Sequence, residues 1–171
     1  METSSSQLAI AVLTVSDTRE EDDDASGGLL IRLAREAGHH VADRQVVPDD
    51  TYQLRAVVSR WITDPEIQVV ITNGGTGITG RDVTPSAIRP LLDKEIEGFG
   101  ELFRMISYQE IGTSSLQSRA LAGVANATVI FCVPGSPNAC ETAWTRLIRH
   151  QLDINHKPCN LVQLFPRLLE R

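Results

Sequence analysis

Three apolar runs of strand length, Leu8–Val15 (LAIAVLTV), Ile67–Thr72 (IQVVIT) and Thr128–Val133 (TVIFCV), constrain this chain more than any other feature. A strand with one wet face alternates apolar and polar residues. A nearly continuous run reads as a strand buried on both faces, as in a parallel sheet covered by helices on each side. The segments between the runs carry helical spacing. Leu29, Leu30, Leu33, Ala34 and Ala37 mark a first helix, with Ser26 as its N-cap and Gly38 as its stop. His39–Val47 reads as a strand ending at Pro48-Asp49-Asp50, and Leu54, Val57, Val58, Trp61 and Ile62 mark a second helix. Beyond the third strand, Thr84 is expected to cap a helix, Pro85 to occupy its first turn and Pro90 to end or kink it. Glu101–Glu110 is a further helical stretch, and Gly112–Ser118 has no clear period and reads as a connection. Arg119–Ala125 and Thr128–Val133 flank Asn126 as a hairpin, and a last helix runs from Pro134-Gly135-Ser136-Pro137 to about Leu152. This alternation predicts a three-layer α/β/α fold, a mostly parallel sheet with helices on both faces.

A chain of 171 residues is expected to form one domain over residues 1–171, with polar residues 1–7 as a flexible tail. Leu161–Leu164, between Pro158 and Pro166, reads as a packed tail or a short edge strand. A formal charge of −6 argues against nonspecific nucleic-acid binding. Lys94 and Lys157 are the only lysines, so contacts to phosphate fall to arginine forks or backbone amides. Cys132, Cys140 and Cys159 form no CxxC pair, and the four histidines lack a metal-type spacing. No apolar run approaches the roughly 20 residues of a membrane span. These features together point to a cytoplasmic protein with small-molecule or protein partners.

In an open parallel sheet, ligands bind where the loops leave the carboxyl ends of the strands. That rim is expected to collect Ser16-Asp17, Pro48-Asp49-Asp50, Asn73-Gly74-Gly75-Thr76-Gly77 with Arg81-Asp82, and Pro134-Gly135-Ser136-Pro137. The glycine-rich loop is the strongest signal, because residues without side chains let backbone N–H groups approach an anion such as phosphate. Its plain alternative is a long turn that needs positive φ. Gly75-x-Gly77-x-x-Gly80 matches the dinucleotide fingerprint, but the helix signal comes too late for that motif. Gly75 to Gly80 also has P-loop glycine spacing, yet Arg81-Asp82 stands where Lys and Ser or Thr belong.

GGTG followed by RDVTP after a strand, with PDD before it and PGSP after it, resembles the MoaB/MogA family of molybdenum cofactor biosynthesis proteins, and the likeness extends from about Leu8 to Leu152. VSD at Val15–Asp17, DASG at Asp24–Gly27, EGFGELFRMIS at Glu97–Ser107 and IGTSSLQSRALAGVAN at Ile111–Asn126 place the chain nearest the MoaB branch. The resemblance implies a nucleotidyltransferase that moves AMP from ATP, with Mg2+, to the dithiolene pterin molybdopterin. It implies acidic roles for Asp49 and Asp82, including magnesium binding, and a phosphate cradle of Gly74, Gly75, Thr76 and Gly77. Ser16, Asp17, Ser118, Pro134, Gly135 and Ser136 are further candidate binding residues. It also implies homotrimers or homohexamers, and contacts with other proteins of the pathway. Asn73 departs from the family loop; because Asn tolerates left-handed backbone, the loop shape is expected to survive.

Each assignment has an ordinary structural counterpart. Asp49 or Asp50 suits a helix cap before Thr51, and Asp82 a hydrogen bond within its loop. Ser16-Asp17 suits a self-closing turn, Ser136 a cap, and Arg119 a surface ion pair. The acidic run Glu20–Asp24 reads as solvated. A noncatalytic molybdopterin carrier or scaffold is the alternative to the enzyme, and an NAD-binding protein a weaker third.

Overall fold

The structure is a computed structural model that describes residues 6–170. The expected tail at residues 1–7 therefore lies largely outside the described residues, while Leu8 is already buried. One sheet of six strands runs in the order β2-β1-β3-β6-β5-β4. Its strands are β1 (Ala9–Val15), β2 (His40–Val47), β3 (Val69–Asn73), β4 (Lys94–Glu95), β5 (Leu121–Ala125) and β6 (Thr128–Val133). β1, β2, β3 and β6 are parallel, and β5 and β4 follow as antiparallel neighbours.

The apolar runs divide between the two faces with period two. Ile10, Val12, Val69, Ile71, Val129 and Phe131 pack on one side. Ala11, Leu13, Val70, Ile130 and Cys132 pack on the other. The first face is covered by α1 (Ala25–Glu36), α4 (Glu97–Ile111) and α5 (Pro137–Ala143). From α5 the helix continues through a π turn, Trp144–Ile148, into α6 (Arg149–Gln151). The second face is covered by α2 (Thr51–Ile62) and α3 (Thr84–Ile88). This is the expected α/β/α arrangement, and the hairpin turns where expected, with Asn126 and Ala127 both at positive φ.

Several local expectations are corrected. α1 is capped by Asp24, whose carboxylate accepts the Gly27 N–H, and not by Ser26. Thr84 is the first residue of α3, not its cap, and Pro85 does sit in the first turn. The helix turns at Ile88 into a 3-10 turn, Arg89–Leu91, that contains Pro90. α4 starts at Glu97, four residues earlier than its periodicity suggests, and Gly112–Gln117 is a 3-10 turn. β2 starts at His40, and β4, two residues long, has no sequence signal of its own. Val162–Arg167 is a 3-10 turn whose Val162 packs into the core; no edge strand forms there.

Candidate functional site

Strand register brings the loops to one level. Thr14 of β1 stands opposite Asn73 of β3, Asn73 opposite Val133 of β6, and Val15 opposite Val47 of β2. The segments starting at Ser16, Pro48, Gly74 and Pro134 therefore leave the sheet along one rim. β1 connects to β2 on one side and is flanked by β3 on the other, so the strand order reverses there, as at the ligand crevices of open parallel sheets.

Two glycines at positive φ, Gly74 (97°) and Gly75 (66°), turn the chain sharply after β3. A Cβ on Gly74 would lie 2.2 Å from the Val15 carbonyl oxygen, so only glycine fits against β1. A Cβ on Gly135 would meet the Gly74 Cα at 3.0 Å, so the two loops touch. The Gly74 N–H is spent on the Val133 carbonyl, whereas those of Gly75 and Thr76 donate to no acceptor among the described residues. The cradle is thus narrower than the four-residue run suggests. Asn73 remains extended as the last residue of β3; the left-handed positions are the glycines after it, which corrects the role expected for Asn73.

The acids differ in their surroundings. Asp50 caps α2, accepting from the N–H groups of Tyr52 and Gln53 at 2.9 and 2.8 Å. That leaves Asp49 free of capping. A Cβ on Gly75 would lie 2.8 Å from Asp49 Oδ1 and 2.4 Å from Thr84 Oγ1, so the Asp49 carboxylate rests on the glycine loop. It accepts no hydrogen bond from the described residues, and partial burial with Asp17 and Asp82 nearby pushes its pKa up, while Arg81 pulls it back. A Cβ on Gly77 would lie 2.7 Å from Asp82 Oδ2. Asp82 also makes the expected loop bonds, accepting from the Thr79 N–H and hydroxyl at 2.8 and 2.7 Å, and the hydroxyl contact leads in holding its pKa down. The loop hydrogen bonds expected of Asp82 are thus present, and the same carboxylate also rests on Gly77.

Asp17 faces Arg81, whose guanidinium grips both carboxylate oxygens and lowers the Asp17 pKa. Asp17 Oδ1 also accepts the Asp49 N–H at 3.0 Å. Ser16 closes its own turn, its hydroxyl oxygen accepting from the N–H groups of Thr18 and Arg19. Ser136 caps α5 through the Ala139 N–H. Arg119 is not a surface ion-pair partner. Its guanidinium donates to the carbonyls of Gly77 and Asp82 and to the Ser86 hydroxyl, pinning the far side of the glycine loop.

Gly74–Gly77, Asp82, Ser118 and Pro134–Ser136 line one cleft of about 340 Å³. Ser16, Asp17 and Asp49 stand outside it. Its opposite wall is Phe103, Ser107 and Ile111 of α4 with Ser114, Ser115 and Gln117 of the 3-10 turn. Those two segments carry the family resemblance, but hydroxyls on an aperiodic stretch give no signal of the face they present. Two cavities of similar size, about 370 Å³ beside His39 and Trp144 and about 400 Å³ beside Arg89 and Arg104, contain no part of the glycine loop. Volume does not single out the cleft; the Gly75 and Thr76 N–H groups without a protein acceptor do.

Beneath the rim runs a buried polar chain. The Asn73 amide nitrogen donates to the Leu13 carbonyl and to Thr14 Oγ1 at 3.3 and 2.9 Å. The Thr14 hydroxyl donates to Asp24, which also receives Arg44 Nη2 at 3.3 Å. The last acid of the Glu20–Asp24 run is therefore buried and paired, while the four before it are exposed. Ser26 serves the neighbouring loop, its hydroxyl donating to the Gly135 carbonyl at 2.7 Å.

Among the described residues, no group of three or more His, Cys, Asp or Glu side chains is arranged to hold a metal. Magnesium that arrives with phosphate needs only one or two carboxylates. Asp49, without a protein donor and beside Asp82, fits that requirement.

The pattern described as "Probable molybdopterin binding domain" matches residues 11–154. Molybdenum cofactor biosynthesis protein B of Escherichia coli (strain K12) is 57% identical over 151 residues, covering 88% of this chain and 89% of that protein. The Bacillus subtilis (strain 168) protein of the same name is 48% identical over 142 residues, 82% of this chain and 84% of its own. A crystal structure of a molybdenum cofactor biosynthesis protein B superposes with a TM-score of 0.84 at 48% identity, covering 86% of this chain and 92% of that one. The tungsten cofactor synthesizing protein MoaB from Pyrococcus furiosus superposes with a TM-score of 0.74 at 38% identity, covering 84% and 91%. With a domain pattern over most of its length and relatives this similar across nearly all of theirs, the chain belongs to the MoaB/MogA family of molybdenum cofactor biosynthesis proteins.

Proposed function

We propose that this chain is a single molybdopterin-binding domain that transfers AMP from ATP to molybdopterin. The observation that carries the reading is the packing of two carboxylates, Asp49 and Asp82, against Gly75 and Gly77 of a loop whose Gly75 and Thr76 amides face no protein acceptor. In the reaction, an oxygen of the pterin substrate attacks the α-phosphorus of ATP. The bond between that phosphorus and the bridging oxygen breaks, and pyrophosphate leaves. Charge accumulates on phosphate oxygens, so positioning and electrostatic stabilisation supply most of the catalysis. Asp49 and Asp82 would hold magnesium, which offsets phosphate charge when bound. The Gly75 and Thr76 amides receive phosphate oxygens without reorganisation, because Arg119 and Thr84 fix the loop from both sides. The hydroxyl-bearing wall of the cleft orients the pterin, and its apolar residues exclude water.

The homotrimer or homohexamer implied by the resemblance would cover Leu102, Met105 and Tyr108, apolar side chains that α4 leaves 46%, 55% and 59% exposed. Light scattering on the purified protein measures this directly.

The test is incubation with Mg-ATP and molybdopterin, following pyrophosphate and adenylylated product, with Asp82→Asn as the paired control. Product from the unmodified protein alone supports the enzyme. The relatives' names give a place in molybdenum cofactor biosynthesis and no adenylyl transfer, so a noncatalytic molybdopterin carrier or scaffold is the second reading. Tight molybdopterin binding with no product would establish that second reading.

A further inference from the structure

Arg81 and Asp17 lie outside the cleft, on the rim beside Asp49, and bridge the loops after β1 and β3 across the point where strand order reverses. Arg81 Nε donates to Asp17 Oδ2 at 2.9 Å, and Nη2 reaches Oδ1 at 2.6 Å and Oδ2 at 2.5 Å. The pair is far from buried, with side chains 68% and 36% exposed. A guanidinium fork fits phosphate as well as it fits carboxylate. Arg119, the other arginine at the glycine loop, is already committed to two carbonyls and a hydroxyl. Arg81 is thus the guanidinium at this rim held only by an exposed partner, and exposed ion pairs are weak.

We propose that Arg81 is the clamp for the triphosphate of the incoming nucleotide and that Asp17 is its internal competitor, a carboxylate that occupies the fork until phosphate displaces it. The inference rests on the nucleotide reading above and assigns Asp17 a role opposite to that of a ligand contact. On arrival of the nucleotide, the guanidinium exchanges one carboxylate for a more highly charged group, so the exchange favours a polyphosphate over a monophosphate. Asp17 meanwhile keeps its second task, since Oδ1 continues to accept the Asp49 N–H and hold that loop. The exchange sets nucleotide affinity and selectivity without any further movement of the fold.

Titration calorimetry with α,β-methylene ATP and magnesium tests this, because that analogue cannot release AMP. Asp17→Asn keeps an oxygen for the Asp49 N–H but removes the charge that competes for Arg81. It should bind the analogue about two- to fivefold tighter than the unmodified protein, the range an exposed ion pair allows. Arg81→Ala should bind it about tenfold or more weakly, with a smaller loss for AMP. In the double variant the Asp17→Asn gain should vanish, since the competitor acts only through Arg81. Asp17→Asn binding equal to or weaker than the unmodified protein overturns the clamp while leaving the nucleotide reading intact. No binding of the analogue to the unmodified protein overturns both.

Discussion

Replacing Asp24 with alanine removes the hub of the polar chain beneath the glycine loop, and its cost can be worked from its partners. The carboxylate is fully buried and serves three groups, the Gly27 N–H at the start of α1, the Thr14 hydroxyl and Arg44 Nη2. Loss of the cap costs about 1 kcal/mol. Loss of the Thr14 contact costs about 2 kcal/mol, as a hydrogen bond to a charged group whose donor is then left without an acceptor. Arg44 is discounted, because its guanidinium is 27% exposed and the same nitrogen also reaches the Glu21 carbonyl at 2.8 Å. The total is about 3–4 kcal/mol, at the lower end of what breaking a buried charged pair costs. For a chain of this size that corresponds to a fall in Tm of roughly 6–16 °C. Asp24→Asn retains an oxygen for the cap and should lose about half as much. Thermal and urea unfolding of the three proteins at neutral pH reads the effect. A loss below about 1 kcal/mol for Asp24→Ala would refute the argument, since it would mean that Thr14 and α1 find other partners without cost.

Four further substitutions separate the roles of the loop and its acids. Asp49 has a folded pKa above its ordinary value, so its ionised form costs stability at neutral pH; Asp49→Asn should melt higher than the unmodified protein at pH 7, and the difference should disappear below about pH 4. Asp82 has a lowered pKa and contributes stability above the unfolded value that is lost as pH falls through the folded one, so Asp82→Asn should melt lower at pH 7. Both variants should lose adenylyl transfer by at least about 100-fold, read from pyrophosphate release. Gly75→Ala places a Cβ 2.4 Å from Thr84 Oγ1 at a φ of 66°, so nucleotide binding should fall at least about tenfold with a loss of about 1–2 kcal/mol from backbone strain alone; Gly80→Ala, whose Cβ meets nothing within 4 Å, should behave as the unmodified protein. Met105→Glu should shift the light-scattering mass toward the monomer, and an unchanged mass would remove α4 from the interface.

How much of this was legible in the sequence follows from what each residue answers to. Continuous apolar strands answer to burial alone, so β1, β3 and β6 could be read from LAIAVLTV, IQVVIT and TVIFCV, and the rim followed from topology. Helix starts answer to one hydrogen bond each, and neighbouring candidates compete for it. Asp24 and Ser26 both suit a cap, and the one that wins is the carboxylate that Thr14 and Arg44 reach across the sheet, a tertiary fact. The same competition decides Asp49 and Asp50, where capping by Asp50 leaves its neighbour facing the glycine loop. The hydroxyl wall of the cleft was least legible, because Ser107, Ser114 and Ser115 acquire a common direction only once α4 and the 3-10 turn after it have packed against the sheet.

The stability and the chemistry of this rim pull against each other, and the sites of conflict are informative. Asp24 is buried with every partner it needs and reads as structural. Asp49 is partly buried with none, an arrangement that folding alone does not favour. A carboxylate held near two others and against the glycine loop lowers stability for as long as no cation joins it. Its neighbour Asp17 shows the other solution, since a guanidinium compensates it. Of the three acids only Asp49 lacks any donor, so Asp49 is where a hard cation gains most, and the gain in melting temperature expected for Asp49→Asn measures how much stability the fold gives up to keep that position charged.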